Sequence, residues 1–432
     1  MNDVGVYDVA IVGGGPAGSC AATFLARAGH RVVVVEKDHF PRFQIGESLL
    51  PYSMDTLERL GVMGKLEEEG FLPKHGAHLS SGCGSREIKF YFKNSFRSRR
   101  ATALQVRRAP FDHILLEHAR EEGAEVYYGT KIGEADFGEE GVELTLESKE
   151  AENQVPARLR ARYLLDASGR HSVVGTKFQL RRNYPKLKKF AVFAHFDGVP
   201  VEDGPDGTLT QMIREEDRWF WVIPLSRKTI SLGVVTDLAH FREQNQTPEE
   251  FLQSSIQRQP LVRERLREAE RITPVHATGD YSYRNENFFG ERWMLAGDAA
   301  GFIDPVFSSG VFLALLSGES AAAALHEALV SPASARREFW RYEKNLQRVM
   351  DLYQQFVEGW YSPEFIETVM NPQEFFGLVP AVNAVLAGNP GRDPSVRWRL
   401  WLFHLVVRLQ RHLPLSPRLT LRPPSVEAAT TA

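Results

Sequence analysis

Tyr7-Asp8-Val9-Ala10-Ile11-Val12 is almost unbroken in apolar character, the pattern of a strand covered on both faces, and it runs straight into a glycine-rich turn. Ser19 to Ala28, small and apolar, predicts a helix, and Val32 to Val35 predicts a second buried strand. Strand and helix patterns go on alternating through residues 1–75, 100–180 and 275–330, which predicts a doubly wound α/β domain assembled from discontinuous segments. Residues 76–99 and 181–274 follow a different rhythm, and runs at 190–196 and 229–235 predict a β-rich substrate domain intertwined with the first. Within it, Trp219-Phe220-Trp221-Val222-Ile223-Pro224 puts both indoles on one strand face. Core packing is the plain use of such a pair; a wall between two compartments is the other. Residues 331–432 predict a helical C-terminal region whose aromatics, among them Tyr353, Phe356 and Trp360, suit a cap over a pocket, and residues 397–408 read as a basic amphipathic helix.

The turn after the first strand is Gly13-Gly14-Gly15-Pro16-Ala17-Gly18. Gly13 permits the tight turn, Gly15 lets the backbone approach a pyrophosphate, and Gly18 allows close helix–strand packing, while the helix start offers amide donors. Glu36 closes the second strand near the separation at which a carboxylate accepts ribose hydroxyls, and its charge disfavours a 2′-phosphate. Strand, loop, helix, strand and acid in that order predict a Rossmann-like dinucleotide site. Further on, Arg292-Trp293-Met294-Leu295-Ala296-Gly297-Asp298-Ala299-Ala300-Gly301 resembles the Gly-Asp signature of FAD-containing monooxygenase-like proteins, with Asp298 directed at ribityl or ribose hydroxyls. Leu164-Leu165-Asp166-Ala167-Ser168-Gly169 resembles their Asp-Gly element. Taken singly, each Asp reads equally well as an acidic turn. Arg107-Arg108-Ala109-Pro110-Phe111-Asp112 resembles the segment whose Arg approaches the flavin; Arg108 is favoured, with Arg107 as the alternative. Together these resemblances imply FAD.

Four more segments resemble the flavin-dependent halogenases, of a phenol or pyrrole type rather than a tryptophan type. Phe40-Pro41-Arg42-Phe43-Gln44-Ile45-Gly46-Glu47-Ser48-Leu49-Leu50-Pro51 is similar to their flavin-covering strap, and the Trp219 segment to their Trp-x-Trp-x-Ile-Pro signature. Phe302-Ile303-Asp304-Pro305-Val306-Phe307-Ser308-Ser309-Gly310 is similar to their Phe…Pro…Ser…Gly motif, and amides at such a helix start form an anion site. Gly70-Phe71-Leu72-Pro73-Lys74-His75-Gly76-Ala77 aligns Lys74 with the lysine these enzymes use, although a surface lysine is the ordinary reading and Lys89 and Lys93 are nearby rivals. Tryptophan halogenases carry Glu before the motif Ser, where this chain has Phe307.

The resemblance implies a catalytic set of Lys74, Trp219, Trp221 and Ser308, and a halide held at the amides of Ser309 and Gly310. It implies FAD contacts from Gly13, Gly15, Gly18, Glu36, Gly46, Glu47, Ser48, Arg108, Asp298 and Gly310. Reduced FAD and dioxygen would give a flavin C4a-hydroperoxide that chloride or bromide attacks, forming hypohalous acid. Lys74 would hydrogen-bond that acid or carry the halogen as an N-halo amine, because a lysine pKa shifts readily on burial. Trp219 and Trp221 would keep an electron-rich phenolic or pyrrolic substrate away from the hydroperoxide. Glu47 and Asp304 are further carboxylates whose simpler role is structural. Rival readings on the same scaffold are an aromatic hydroxylase, a geranylgeranyl-reductase-like flavoprotein and a non-enzymatic flavin-binding protein.

Composition constrains the setting. The 432 residues, 43% apolar and 11% aromatic, can build more than one core. A net charge of −3 gives no reason to invoke nucleic acid, and two cysteines are too few for a disulfide framework or a zinc cluster, so no metal is expected. The chain reaches its first strand almost at once, which leaves no room for a signal peptide and predicts a cytoplasmic protein. Residues 311–330 are apolar but are interrupted by Gly318, Glu319 and His326, so a membrane span is not expected. From residue 391 onward there are seven Arg against one Asp and one Glu, which suits a helix docked on the body, a membrane surface, or an acyl or peptidyl carrier protein bearing the substrate. With no second nucleotide fingerprint, a separate flavin reductase is the expected source of reduced FAD.

Overall fold

The computed structural model describes residues 5–98, 100–148, 155–372, 375–391 and 393–422. A seven-stranded sheet carries the dinucleotide loop. Tyr7–Val12 lies between the parallel strands Val32–Val35 and Arg158–Asp166. Glu125–Tyr127 and Trp293–Leu295 extend the parallel part, and Val142–Ser148 with Thr130–Phe137 adds an antiparallel ribbon. Central parallel strands are covered on both faces, which is why residues 7–12 and 32–35 read as apolar runs and not as alternation.

The second sheet has eight strands. Lys189–Asp197, Thr229–Asp237, Arg218–Pro224 and Thr210–Arg214 run antiparallel in that spatial order, and Gly76–Ser81 joins parallel to Thr210–Arg214. Its two faces pack separate cores. Trp219, Trp221 and Ile223 join the large core shared with the first sheet, whereas Phe220 and Val222 join a smaller one under the helix Pro248–Arg258. Strict alternation across this strand therefore assigns each side chain to one core.

Helices join the two halves. Ser309–Val330 packs along Pro16–Arg27 so closely that a Cβ on Gly318 would stand 2.4 Å from the Ala17 carbonyl oxygen. It is long and apolar enough to cross a membrane, yet 61% of its most apolar window is buried within the protein. Ala335–Trp360, Pro363–Met370 and Leu378–Leu386 form the aromatic-rich C-terminal layer, and Pro394–Gln410 lies outside them.

Candidate active site

The glycine loop is built for close approach. A Cβ on Gly18 would stand 1.9 Å from the Gly13 carbonyl oxygen, and Gly13 itself has a φ of +97°. Only glycine fits either position. At Gly15 the nearest atom to a Cβ would be an Arg42 nitrogen at 3.6 Å, so this turn stays open to a ligand. Glu36 accepts hydrogen bonds from the Gly14 and Asp38 amides at 2.7 and 2.9 Å and is held at the loop's edge. On the far side, Gly297 has a φ of +59° and its Cβ position lies 2.9 Å from Ala17, which brings Asp298 up to the same helix.

The two Asp signatures behave differently. Asp166 is consumed by its own turn, accepting from Ser168, Ser172 and the Val174 amide, the acidic-turn alternative. Asp298 makes no side-chain hydrogen bond among the described residues, and burial pushes its carboxyl up to about 6 against the pull of Arg170 and Arg108. A carboxylate left without donors beside an open glycine turn fits a ligand that brings hydroxyls. These residues fit FAD: open amides for the pyrophosphate, Glu36 and Asp298 for hydroxyls.

Arg108, not Arg107, is the buried arginine. It makes a bidentate pair with Asp112 at 2.7 and 2.8 Å and donates to the Ile45 carbonyl at 2.8 Å. Arg107 is exposed and pairs with Glu69. Arg108 thus anchors residues 40–51, whose Gly46 has a φ of +109° and stands against both Arg108 and Val311. The strap then runs beside Ala103–Gln105: Leu49 donates to Leu104, Val106 donates to the Glu47 carbonyl, and Ser48 bridges to Gln105. The Ser48 hydroxyl and Gln105 amide both reach the Thr210 hydroxyl, which ties the strap to the second sheet. The Glu47 carboxylate lies 2.7 Å from His195, a close contact without hydrogen-bond alignment.

Lys74 ends the short strand Leu72–Lys74 on the other edge of Ala103–Gln105. Its side chain is 2% exposed, and its ammonium meets no hydrogen-bond acceptor among the described residues; it stands over the Phe92 ring at 5.3 Å. Burial alone pulls its pKa down to about 7. Lys89 and Lys93 are at the surface, one paired with Asp206 and the other over Tyr91.

The Trp pair is joined to the loop at residues 302–310. Trp219 and Trp221 sit 5.9 Å apart, ring centre to ring centre, and a Cβ on Gly233 would overlap the Trp221 ring. Each buried indole N–H needs an acceptor. Trp221 donates to Ser231 at 3.3 Å, and Trp219 donates at 3.1 Å to the Tyr361 hydroxyl, which in turn donates to Asp304 at 2.9 Å. Burial pushes Asp304 up to about 6, offset by bonds from the Val306 amide and Tyr361. Its other oxygen holds that amide at 3.0 Å, so Asp304 fixes the turn leading to Ser308. Ser308 has a φ of +55° and offers no side-chain cap, leaving the first amides of Ser309–Val330 uncapped. Phe307 packs edge-on against Trp360, which is edge-on to Trp219.

The structure brings the Trp pair, Asp304 and Ser308 to Gly310 into one assembly, and the glycine loop, Arg108, Gly46 and Asp298 into another. No described contact joins Lys74 to Ser308, Ser309 or Gly310. Sequence reasoning missed Tyr361 and His195; Trp360, read as a cap aromatic, has an Nε1 without a partner among the described residues. Tyr361 lies in the C-terminal region, where no motif marks it.

The family described as FAD binding domain matches residues 6–349. The chain is 33% identical to the 1H-pyrrole-2-carbonyl-(peptidyl-carrier protein) chlorinase of Pseudomonas fluorescens, with 82% of this chain and 83% of that one covered. It is 32% identical to the corresponding brominase of Pseudoalteromonas luteoviolacea, with 76% and 79% covered. Among solved structures, the flavin-dependent brominase Bmp2 is similar at a TM-score of 0.83 and 28% identity, covering 94% of this chain and all of its own.

Proposed function

The chain belongs to the flavin-dependent halogenases within the FAD binding domain family, and on that premise we propose that it halogenates an electron-rich pyrrole or phenol presented on a carrier protein. Bound FAD, once reduced, supplies the activation of dioxygen that converts chloride or bromide to hypohalous acid. Gly13, Gly15, Gly18 and Glu36 hold the dinucleotide end, Asp298 and Arg108 the flavin end, and Gly46, Glu47 and Ser48 belong to the strap that covers it. The amides of Ser309 and Gly310 hold the halide, with Ser308 setting the turn. Trp219 and Trp221 screen the organic substrate from the oxidising side. The aromatic-rich C-terminal layer closes over that substrate.

Lys74 carries this reading. A buried amine without a protein acceptor, poised to gain or lose its proton near neutrality, can hydrogen-bond hypohalous acid or take its halogen. The lack of a carboxylate at Phe307 accords with a substrate activated by its own ring. Two relatives whose names specify a carrier-bound pyrrole support the substrate class. A separate flavin reductase supplies reduced FAD, and the compartment is the cytoplasm, where Cys20 and Cys83 stay free.

The test mixes protein loaded with reduced FAD into oxygenated buffer with and without bromide, while a chemical trap reports hypobromite. Bromide-dependent trapping is expected. Oxygen consumption indifferent to bromide and chloride would instead assign a hydroxylase, and no oxygen activation a reductase or a binding protein.

A further inference from the structure

The helix Pro394–Gln410 turns its apolar side inward: Val396, Leu400 and Phe403 are buried, with Phe403 5.5 Å from Phe365. Its outer side is unusual. Arg397, Trp401 and Arg408 recur at spacings of four and seven, which aligns them in one stripe. Trp401 is 66% exposed and Trp398 44%, and Phe376 beside them is 67% exposed. Arg397 and Arg408 form no ion pair among the described residues, whereas Arg411 and Arg418 on the flank are paired with Glu364 and Glu367. No Asp or Glu occurs from residue 394 to residue 422. Exposed Trp and unpaired Arg together are the side chains that dominate binding interfaces.

A small, shallow cleft lies beside this patch. Arg399 bridges the two, its guanidinium 4.3 Å from the Trp398 ring and 4.6 Å from the Phe96 ring. Phe96 lines the cleft with Tyr52, Asp55, Ser95, Arg100 and Ala387. Ser95, on the cleft wall, donates to the Phe92 carbonyl at 3.0 Å, and the Phe92 ring lies under the Lys74 ammonium at 5.3 Å.

We propose that the exposed face formed by Arg397, Trp398, Trp401, Arg408 and Phe376 docks an acidic carrier protein. The proposal rests on the carrier-bound substrate class above and adds where the carrier sits. A cationic face with aromatic anchors complements an acidic helical partner. A membrane fits less well, because an interfacial helix needs its apolar side free and here that side is spent on Phe356 and Phe365.

The test compares wild type with Arg397→Glu/Trp401→Ala and with Arg408→Glu, all loaded with FAD. Three readouts are taken: hypobromite trapping without organic substrate, bromination of a holo peptidyl carrier domain loaded with pyrrole-2-carboxylate, and bromination of the pantetheine thioester of the same acid. All substituted positions are exposed, and unchanged hypobromite trapping certifies an intact enzyme. The expected result is a KM for the loaded carrier raised about tenfold or more, with kcat and the free thioester unaffected, and a wild-type KM that rises with salt. Variants that match wild type on the loaded carrier overturn the docking face while leaving the carrier reading intact. A wild type that traps hypobromite but acts on the thioester and not on the loaded carrier overturns both. Binding to phosphatidylserine vesicles that is lost in the variants, without any change on the carrier, would reassign the face to a membrane.

Discussion

Lys74→Met should make the protein more stable and, at the same time, unable to halogenate. The folded amine titrates at about 7 where a free lysine titrates at 10.5, and burial is the sole cause. Three and a half pH units at about 1.36 kcal/mol each correspond to roughly 5 kcal/mol of penalty for holding the charge inside at neutral pH and below. Relaxation and water penetration return part of it, and replacing a buried charge by an apolar side chain of similar length usually stabilises by about 1–4 kcal/mol. The sign follows from proton counts. Between pH 7 and 10.5 the unfolded lysine holds a proton that the folded one has released, so this group's contribution to stability rises with pH across that window. The gap between Met variant and wild type should therefore be widest at pH 7 and below, and should narrow by up to about 1.4 kcal/mol per pH unit as pH 10.5 is approached. Urea unfolding of both proteins at pH 7, 8 and 9 measures it, and product assays beside a hypobromite trap measure the chemistry. Product should vanish while trapped hypobromite persists. A Met variant that is less stable, or whose pH profile parallels wild type, would refute a desolvated amine at this position; retained product would remove Lys74 from the reaction.

Tyr361→Phe leaves the Trp219 N–H and the Asp304 carboxylate without their shared partner, at a cost of roughly 1–3 kcal/mol, and loosens the turn before Ser308. Oxygen uptake with bromide should then yield more hydrogen peroxide and less trapped hypobromite; unchanged partitioning would mean the link does not matter to halide capture. Gly18→Ala forces a methyl against the Gly13 carbonyl, so purified protein should come without flavin and lose about 1–3 kcal/mol, read from the FAD spectrum and from urea unfolding. Asp298→Asn should weaken FAD binding about tenfold at pH 7.5. For wild type, FAD affinity should fall as pH drops through about 6, where that carboxyl takes up a proton, and the Asn variant should lack this dependence when titrated by fluorescence.

The parts of the chain that read clearly were those where local rules act alone. Residues 7–12 and 32–35 are apolar because both faces are covered, and Gly13 and Gly18 are glycine because no Cβ fits, so pattern and position coincide. The shared face of Trp219 and Trp221 follows from strand alternation in the same way. Asp166 and Asp298 have nearly the same local signature, and only the tertiary setting separates a carboxylate spent on its own turn from one without donors. Tyr361 was beyond reach because its role lies in meeting Trp219 and Asp304, which are 142 and 57 positions away. Likewise, Lys74 is set apart from Lys89 and Lys93 by burial, which nothing in residues 70–77 announces.

The contact of Gly318 with Ala17 constrains inheritance. One rod of 22 residues begins at the Ser308 turn and is pressed, without room for a methyl, on the helix that follows the glycine loop. Segments 13–28 and 309–330 are therefore a matched pair although nearly three hundred positions separate them. Chimeras between relatives that exchange one of these segments alone should fail to assemble, whereas exchanges of both together, or of everything else around them, should be tolerated. Diversification of substrate choice would then fall to parts away from this seam, the second sheet's edge and the outermost helix Pro394–Gln410, because Ala335–Trp360 packs on it through Tyr353 against Phe312.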